Sequence, residues 1–227
     1  MVREAFEREL QRLEDEMMVM ANMVESAIIE SVEALKRRDL AASRRLIAQD
    51  RVINELRFSI ETDCLMVIAT QQPVAVDLRL LAAILDIAKE LERMGDYAKG
   101  IGRINLMIGE GPLMTPLIDI PLMAQQAQSM LHRAVQAFAQ RDIDLARAIP
   151  AEDDEVDELY DQVYRELMTI IVTDPETIEQ ANYLLWTAHN LERVADRVTN
   201  ICERVVFTVT GELVEFNTDV SGIESIS

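Results

Sequence analysis

One short stretch of this chain occurs twice. Leu91-Glu92-Arg93-Met94-Gly95-Asp96 returns as Leu191-Glu192-Arg193-Val194-Ala195-Asp196, each time inside a long run with helical apolar spacing. Each copy holds two carboxylates four residues apart. That is about one helical turn, so both acids share a face. Like charges so placed weaken a helix by about 0.2–0.5 kcal/mol per pair. A chain that accepts this cost at matching places in two halves has a use for the acids, and a bound cation is the simplest one.

The rest of the sequence repeats with them. Ala34 to Leu40 resembles Ala137 to Ile143, which aligns Asp39 with Asp142, Asp50 with Asp153 and Asn54 with Asp157. In the first run, Phe6, Leu10, Leu13, Met17, Met20, Val24, Ile28 and Leu35 recur at steps of three, four and seven, which predicts an amphipathic helix over 3–36. Asp39 caps a second helix, with Leu46, Ile53, Leu56, Ile60, Leu65 and Ile68 on its inner face and its end near Thr70. Pro73 suits the first turn of a third helix, which runs to about Ile108. A linker rich in Gly and Pro follows, then a fourth helix over 122–140 and a fifth opened by Asp142, with Pro150 either kinking it or marking its start. Asp174-Pro175 opens a sixth helix that ends at Thr210, with Gly211 as its stop. The expected fold is therefore all-α: two tandem three-helix bundles of six long antiparallel helices. Residues 1–109 form the first, 110–121 the linker and 122–211 the second. Residues 212–227 form an acidic, mostly mobile tail.

Composition narrows the function. The formal charge is −19, which excludes a nucleic-acid partner and favours cations or basic protein surfaces. Only 4% of residues are aromatic and twelve are Met, a mix suited to helical cores. No apolar run approaches the ~20 residues that span a bilayer, and the N-terminal stretch lacks a signal-peptide core. These features predict a cytoplasmic protein without membrane insertion. Cys64 and Cys202 stand in apolar runs without a CxxC pair, as buried free thiols do.

Helical geometry places the acids. At about 100° per residue, Asp196 and Glu203 fall within about 40° of Glu192, at the edge of an apolar arc, and Asn200 about 80° away. Arg193, Arg197 and Arg204 fall off that stripe. Folding the hairpin near Asp174 sets Glu192 level with about position 156, where Asp153 and Asp157 stand four apart. Asp153, Asp157, Glu192, Asp196, Asn200 and Glu203 thus form a candidate metal-binding set. Folding the first half near Gln72 gives a second set of Asp50, Asn54, Glu92 and Asp96, weakened by the nearby Lys99 and Arg103. Buried carboxylates must be protonated, paired or metal-bound. Oxygen ligands suit Mg2+, Mn2+ or iron, and ligand type alone does not choose among divalent and trivalent ions, Zn2+ included. His132 and His189 both read as packing or surface residues, although the wheel would let His189 join the site at its edge. Trp186, three before His189, removes the Glu-x-x-His pair of di-iron bundles. No phosphate loop or nucleophile elbow appears.

Gln71-Gln72-Pro73-Val74-Ala75-Val76-Asp77-Leu78-Arg79, followed by the two acidic stretches, Asn200-Ile201-Cys202-Glu203 and Thr210-Gly211, resembles the pattern of PhoU-type phosphate signalling regulators. The likeness spans about residues 5 to 215. It implies a non-enzymatic regulator of bacterial phosphate uptake that restrains the phosphate-starvation response. Such a protein stands between the ATPase subunit of the phosphate ABC transporter and a phosphate-sensing histidine kinase. The resemblance also implies a homodimer, and metal at Glu92, Asp96, Glu192 and Asp196. It leaves open whether Asp77 and Arg79 serve a partner or the turn. Two readings compete with it: a metal-dependent hydrolase that activates water at the carboxylates, and a metal-buffering helical scaffold.

Overall fold

The computed structural model describes residues 2–216, with side chains described from residue 4. Helices α1 (Val2–Arg37), α2 (Leu40–Gln71) and α3 (Val76–Ile108) form the first bundle. Helices α4 (Asp119–Gln140), α5 (Ile143–Ala148), α6 (Asp153–Thr173) and α7 (Ile178–Thr210) form the second. There α5 and α6 are two arms of one rod, joined by a 3-10 turn at Ile149–Glu152. Pro150 explains the break: it lacks the N–H that would continue the ladder, and Asp153 N–H donates to its carbonyl instead. So Pro150 kinks the fifth rod. All eight apolar residues of the α1 pattern are buried.

The caps follow the sequence. Asp39 accepts from Ala42 N–H at 2.8 Å and Asp142 from Leu145 N–H at 3.0 Å, so both halves start their second rod the same way. Two boundaries and one inward-facing position differ from expectation. Pro73 lies ahead of α3 and not in its first turn, because the chain between α2 and α3 extends to Ala75. Helix α4 begins at Asp119, so Pro121 sits in its first turn, where a missing N–H costs nothing. On α2, Cys64 takes the inner position and Leu65 is exposed.

The bundles lie side by side, α3 against α7 and α1 against α4, over one continuous apolar core. Helices α3 and α7 run antiparallel. Along their seam Arg197 donates to Glu90 at 3.3 Å, Arg204 to Asp86 at 3.4 Å, and the Arg193 guanidinium lies 5.2 Å from the Tyr97 ring centroid. The arginines that leave the acidic face of α7 therefore go to the other bundle. On the second seam Glu25 accepts from Gln128 at 3.0 Å and faces His132 Nδ1 at 3.2 Å, and Arg141 pairs with Glu14.

Arg79 binds the end of α7, its Nε donating to the Thr208 carbonyl at 3.4 Å. It thus has a structural task between the halves. Gly211 follows in the left-handed region at φ 82°, and a Cβ there would meet the Arg79 guanidinium at 3.2 Å. Gly211→Ala is expected to cost about 1–2 kcal/mol through the backbone alone, read as a lowered urea midpoint. Beyond it, Val214 and Phe216 pack on the core, so residues 212–216 are not the mobile tail expected. The remainder of that tail, 217–227, lies outside the described residues. Both cysteines are buried, and burial pushes each thiol up to about 12. Neither should react with a thiol reagent at pH 8 until the protein unfolds.

Candidate functional site

In the second bundle the acids meet at the seam of α6 and α7. Glu192 is half-buried, and burial first, then the charges of Asp196 and Asp157, push its carboxyl up to about 7 against the opposing pull of Arg193. Its Oε2 is enclosed without a hydrogen bond. His189 Nδ1 stands 3.1 Å from that oxygen but off hydrogen-bonding alignment, so the contact is an ion pair only when the imidazole is protonated. The Tyr160 ring centroid lies 6.3 Å from that of His189, and burial and then the Glu192 charge raise the phenol's pKa. Position 189 is therefore near 160, and 192 near 157, within about a residue of the register expected from a turn at Asp174. Asp153 is buried at the first residue of α6, a turn before Asp157.

The first bundle handles the same acids differently. Lys99 Nζ donates to Asp50 Oδ2 at 2.7 Å and to Asp96 Oδ1 at 3.0 Å. Asn54 adds a donor to Asp50 Oδ2 at 3.0 Å. Glu92 is raised by burial first and then by Asp96, with Arg57 opposing. The register also slips. Gly95 faces Ile53, and Asp50 is level with Lys99, about one turn from the expected position. The cause is the turn. It spans residues 72–75, beyond the assumed pivot at Gln72, and each residue of pivot shift displaces the two helices of a hairpin by two residues relative to each other. At the place of Lys99 the second half has Thr199, which donates to the Asp196 carbonyl at 2.7 Å and brings no charge.

Two residues of the expected second set are engaged elsewhere. Asn200 donates to Glu90 across the α3–α7 seam at 3.3 Å. Glu203 accepts from Phe216 N–H at 3.1 Å and lies 3.8 Å from Arg204. The set that remains at one level is Asp157, Glu192 and Asp196, with Asp153 beside it. As the side chains stand, no three His, Cys, Asp or Glu residues among the described residues are close enough to share a metal ion.

A PhoU domain model matches residues 17–104 and again 120–205. The chain belongs to the PhoU family. Each matched stretch carries one acidic pair, so the repeat in the sequence is a repeat of the PhoU domain. The chain is 37% identical over 209 residues to the phosphate-specific transport system accessory protein PhoU homolog of Caulobacter vibrioides, covering 92% of this chain and 91% of that one. It is 35% identical over 207 residues to the phosphate-specific transport system accessory protein PhoU of Escherichia coli, covering 91% and 86%. Crystal structures of the phosphate transport system regulatory protein PhoU from Streptococcus pneumoniae and of PhoU from Pseudomonas aeruginosa superpose with TM-scores of 0.85 and 0.86. Their identities are 31% and 32%, over 92% and 91% of this chain and 99% and 100% of theirs. This PhoU-family chain is thus a regulator in phosphate transport by kinship. No helix among its described residues is long and apolar enough to cross a membrane.

The sequence favours a surface or packing role for His189, and the structure instead sets its Nδ1 3.1 Å from Glu192. Tyr160 shares a helical face with Asp153 and Asp157 in the sequence, and its place beside His189 and Glu192 emerges only in the folded hairpin. In this PhoU fold the decisive difference between the halves is Lys99 against Thr199, visible in the sequence once the copies are aligned on Glu92 and Glu192.

Proposed function

We propose that this protein is a cytoplasmic, non-enzymatic regulator that restrains the phosphate-starvation response, working as a homodimer between the ATPase subunit of a phosphate ABC transporter and a phosphate-sensing histidine kinase. The observation that carries the reading is the match of both halves to the PhoU domain, together with TM-scores of 0.85 and 0.86 over more than nine-tenths of the chain. Its test is genetic and direct. Deleting the gene is expected to switch on a phosphate-starvation reporter in phosphate-rich medium, and the intact gene to restore silence. A reporter that stays silent in the deletion strain would overturn the regulatory role.

The acidic seam of the second bundle belongs to this reading as a metal site. Glu192 has an enclosed oxygen without a hydrogen bond and a carboxyl held up first by burial and then by the charges of Asp196 and Asp157, and a cation would offset those charges. Asp157, Glu192 and Asp196, with Asp153 beside them, would hold a hard ion such as Mg2+, Mn2+ or iron. When bound, that ion supplies positive charge. The carboxylates of α6 and α7 then attract a common centre and no longer repel each other, which pins the two helices. In the first bundle the Lys99 ammonium already does this for Asp50 and Asp96, so the metal reading is confined to the second.

A further inference from the structure

A cleft of about 520 Å³ opens between α1 and α2 in the first bundle. Val19, Met23 and Val52 form its rim and Ile53 its inner wall, with Glu30 and Gln49 at one end. Val19 and Val52 are exposed large apolar residues on a chain whose net charge is −19. At the floor lies Asp50, whose side chain is only 6% exposed. Its Oδ2 is used by Lys99 and Asn54, and its Oδ1 is buried without a hydrogen bond. Gly95 lines the same floor. A Cβ there would come 3.3 Å from Ile53 and 3.8 Å from Asp50 Oδ1, so the missing side chain keeps the floor open.

The second bundle shows what this place requires. In the alignment that sets Asp39 on Asp142, Glu30 matches Arg133, Gln49 matches Glu152, Met23 matches Gln126 and Val52 matches Glu155. In the second bundle Arg133 forks onto both carboxylate oxygens of Glu152, and Gln126 donates to Glu152 at 3.2 Å and to Glu155 at 3.1 Å. That bridge ties α4 to the kinked rod. In the first bundle the matching position holds Glu30, its acceptor is the neutral Gln49, and the flanking polar residues are replaced by Met23 and Val52, while Arg37 and Arg45 line the adjoining groove with Glu30 and Gln49. The result is an apolar trough with an acidic end and a carboxylate oxygen awaiting a donor.

We propose that the α1–α2 cleft is the docking site for a helix of a partner protein that presents an arginine among aliphatic side chains. The aliphatic groups cover Val19, Met23 and Val52. The guanidinium stands where Arg133 stands in the other bundle and faces Glu30 and Asp50 Oδ1. Planar, five-donor arginine suits such a site better than lysine. The inference is independent of any metal at Glu192.

The test uses the full chain and a fluorescein-labelled amphipathic peptide of alanine and leucine with one arginine central on its leucine face. A twin peptide carries neutral citrulline in its place. The arginine peptide is expected to raise fluorescence anisotropy on binding and to shift the Met23 and Val52 methyl resonances, with the twin binding at least about tenfold more weakly. Glu30→Arg/Gln49→Glu copies the bridge of the second bundle and is expected to close the cleft, keep full helicity and lose at least about tenfold in affinity for the arginine peptide. Met23→Gln, a change at a half-buried rim residue, should weaken both peptides without touching the charges. Equal binding of the two peptides, unchanged affinity in Glu30→Arg/Gln49→Glu, or no binding of either peptide would each overturn the proposal. So would a wild-type dimer that this double variant dissociates, because the cleft would then be a seam between two copies.

Discussion

Lys99→Thr is expected to destabilise the metal-free protein by about 3 kcal/mol, the usual cost of removing one partner from a buried ion pair. Asp50 is almost fully enclosed and Lys99 is itself four-fifths buried, so loss of the ammonium leaves the Asp50 charge poorly solvated. The Lys99 pKa is raised, first by its hydrogen bond to Asp50 and further by Asp96. A lysine held up in this way stabilises the fold fully below its unfolded value of 10.5, and the contribution is lost only as pH rises through the higher folded value. The loss in Lys99→Thr should therefore be constant across neutral pH, measured as ΔG from urea unfolding. Adding Asp50→Asn should return much of it, because the orphaned charge is gone. The single variant also gives the first bundle the threonine that the second has at Thr199, so its stability should become sensitive to Mn2+. A loss below about 1 kcal/mol would mean that the Lys99 bridge holds little more than a surface pair does.

Glu192→Gln is expected to do the opposite and stabilise the metal-free protein at pH 8. The folded carboxyl is pushed up from 4.5 to about 7. Below pH 4.5 the group is protonated in both states and costs nothing. Between 4.5 and about 7 the unfolded chain gives up its proton while the folded chain keeps it, so stability falls as pH rises, and the penalty is complete above 7. The gap corresponds to about 3 kcal/mol, and partial exposure of the side chain reduces this to on the order of 2 kcal/mol. Glutamine has the same shape and no charge. The variant should therefore match wild type near pH 4 and exceed it by that amount at pH 8. Urea unfolding at both pH values checks this. A variant less stable than wild type at pH 8 would show that the ionised carboxylate is satisfied by the protein itself.

What the sequence displayed well is what depends on one helix or one hairpin. The buried stripe from Phe6 to Leu35, the caps at Asp39 and Asp142 and the stop at Gly211 are local features with local causes. The level of Asp157 and Glu192 was legible because Asp174-Pro175 marks the hairpin's pivot. The first half offered no such mark. Pro73 looked like a helix start, the real turn runs on to Ala75, and the register moved by about a turn. Asn200 and Glu203 fell out of the site for another reason. Their partners, Glu90 on α3 and the Phe216 backbone, come from parts of the chain that a wheel of α7 cannot contain. Leu65 and Cys64 are neighbours on α2, and apolar spacing alone did not tell which one faces inward. The α1–α2 cleft was hidden until both bundles were packed and compared, since Glu30 and Gln49 are unremarkable surface residues on their own.

Both halves thus gather acids between two helices, with Lys99 bridging Asp50 and Asp96 in the first and the uncharged Thr199 at the matching place in the second. The most direct measurement is a Mn2+ titration of chelator-treated wild type and Glu192→Ala/Asp196→Ala at pH 8, reading bound metal and melting temperature together. Wild type should bind the ion and melt at a higher temperature as it does so, while the double variant should bind less and show no rise. Equal metal content and an equal rise in both proteins would contradict a cation site at the α6–α7 seam.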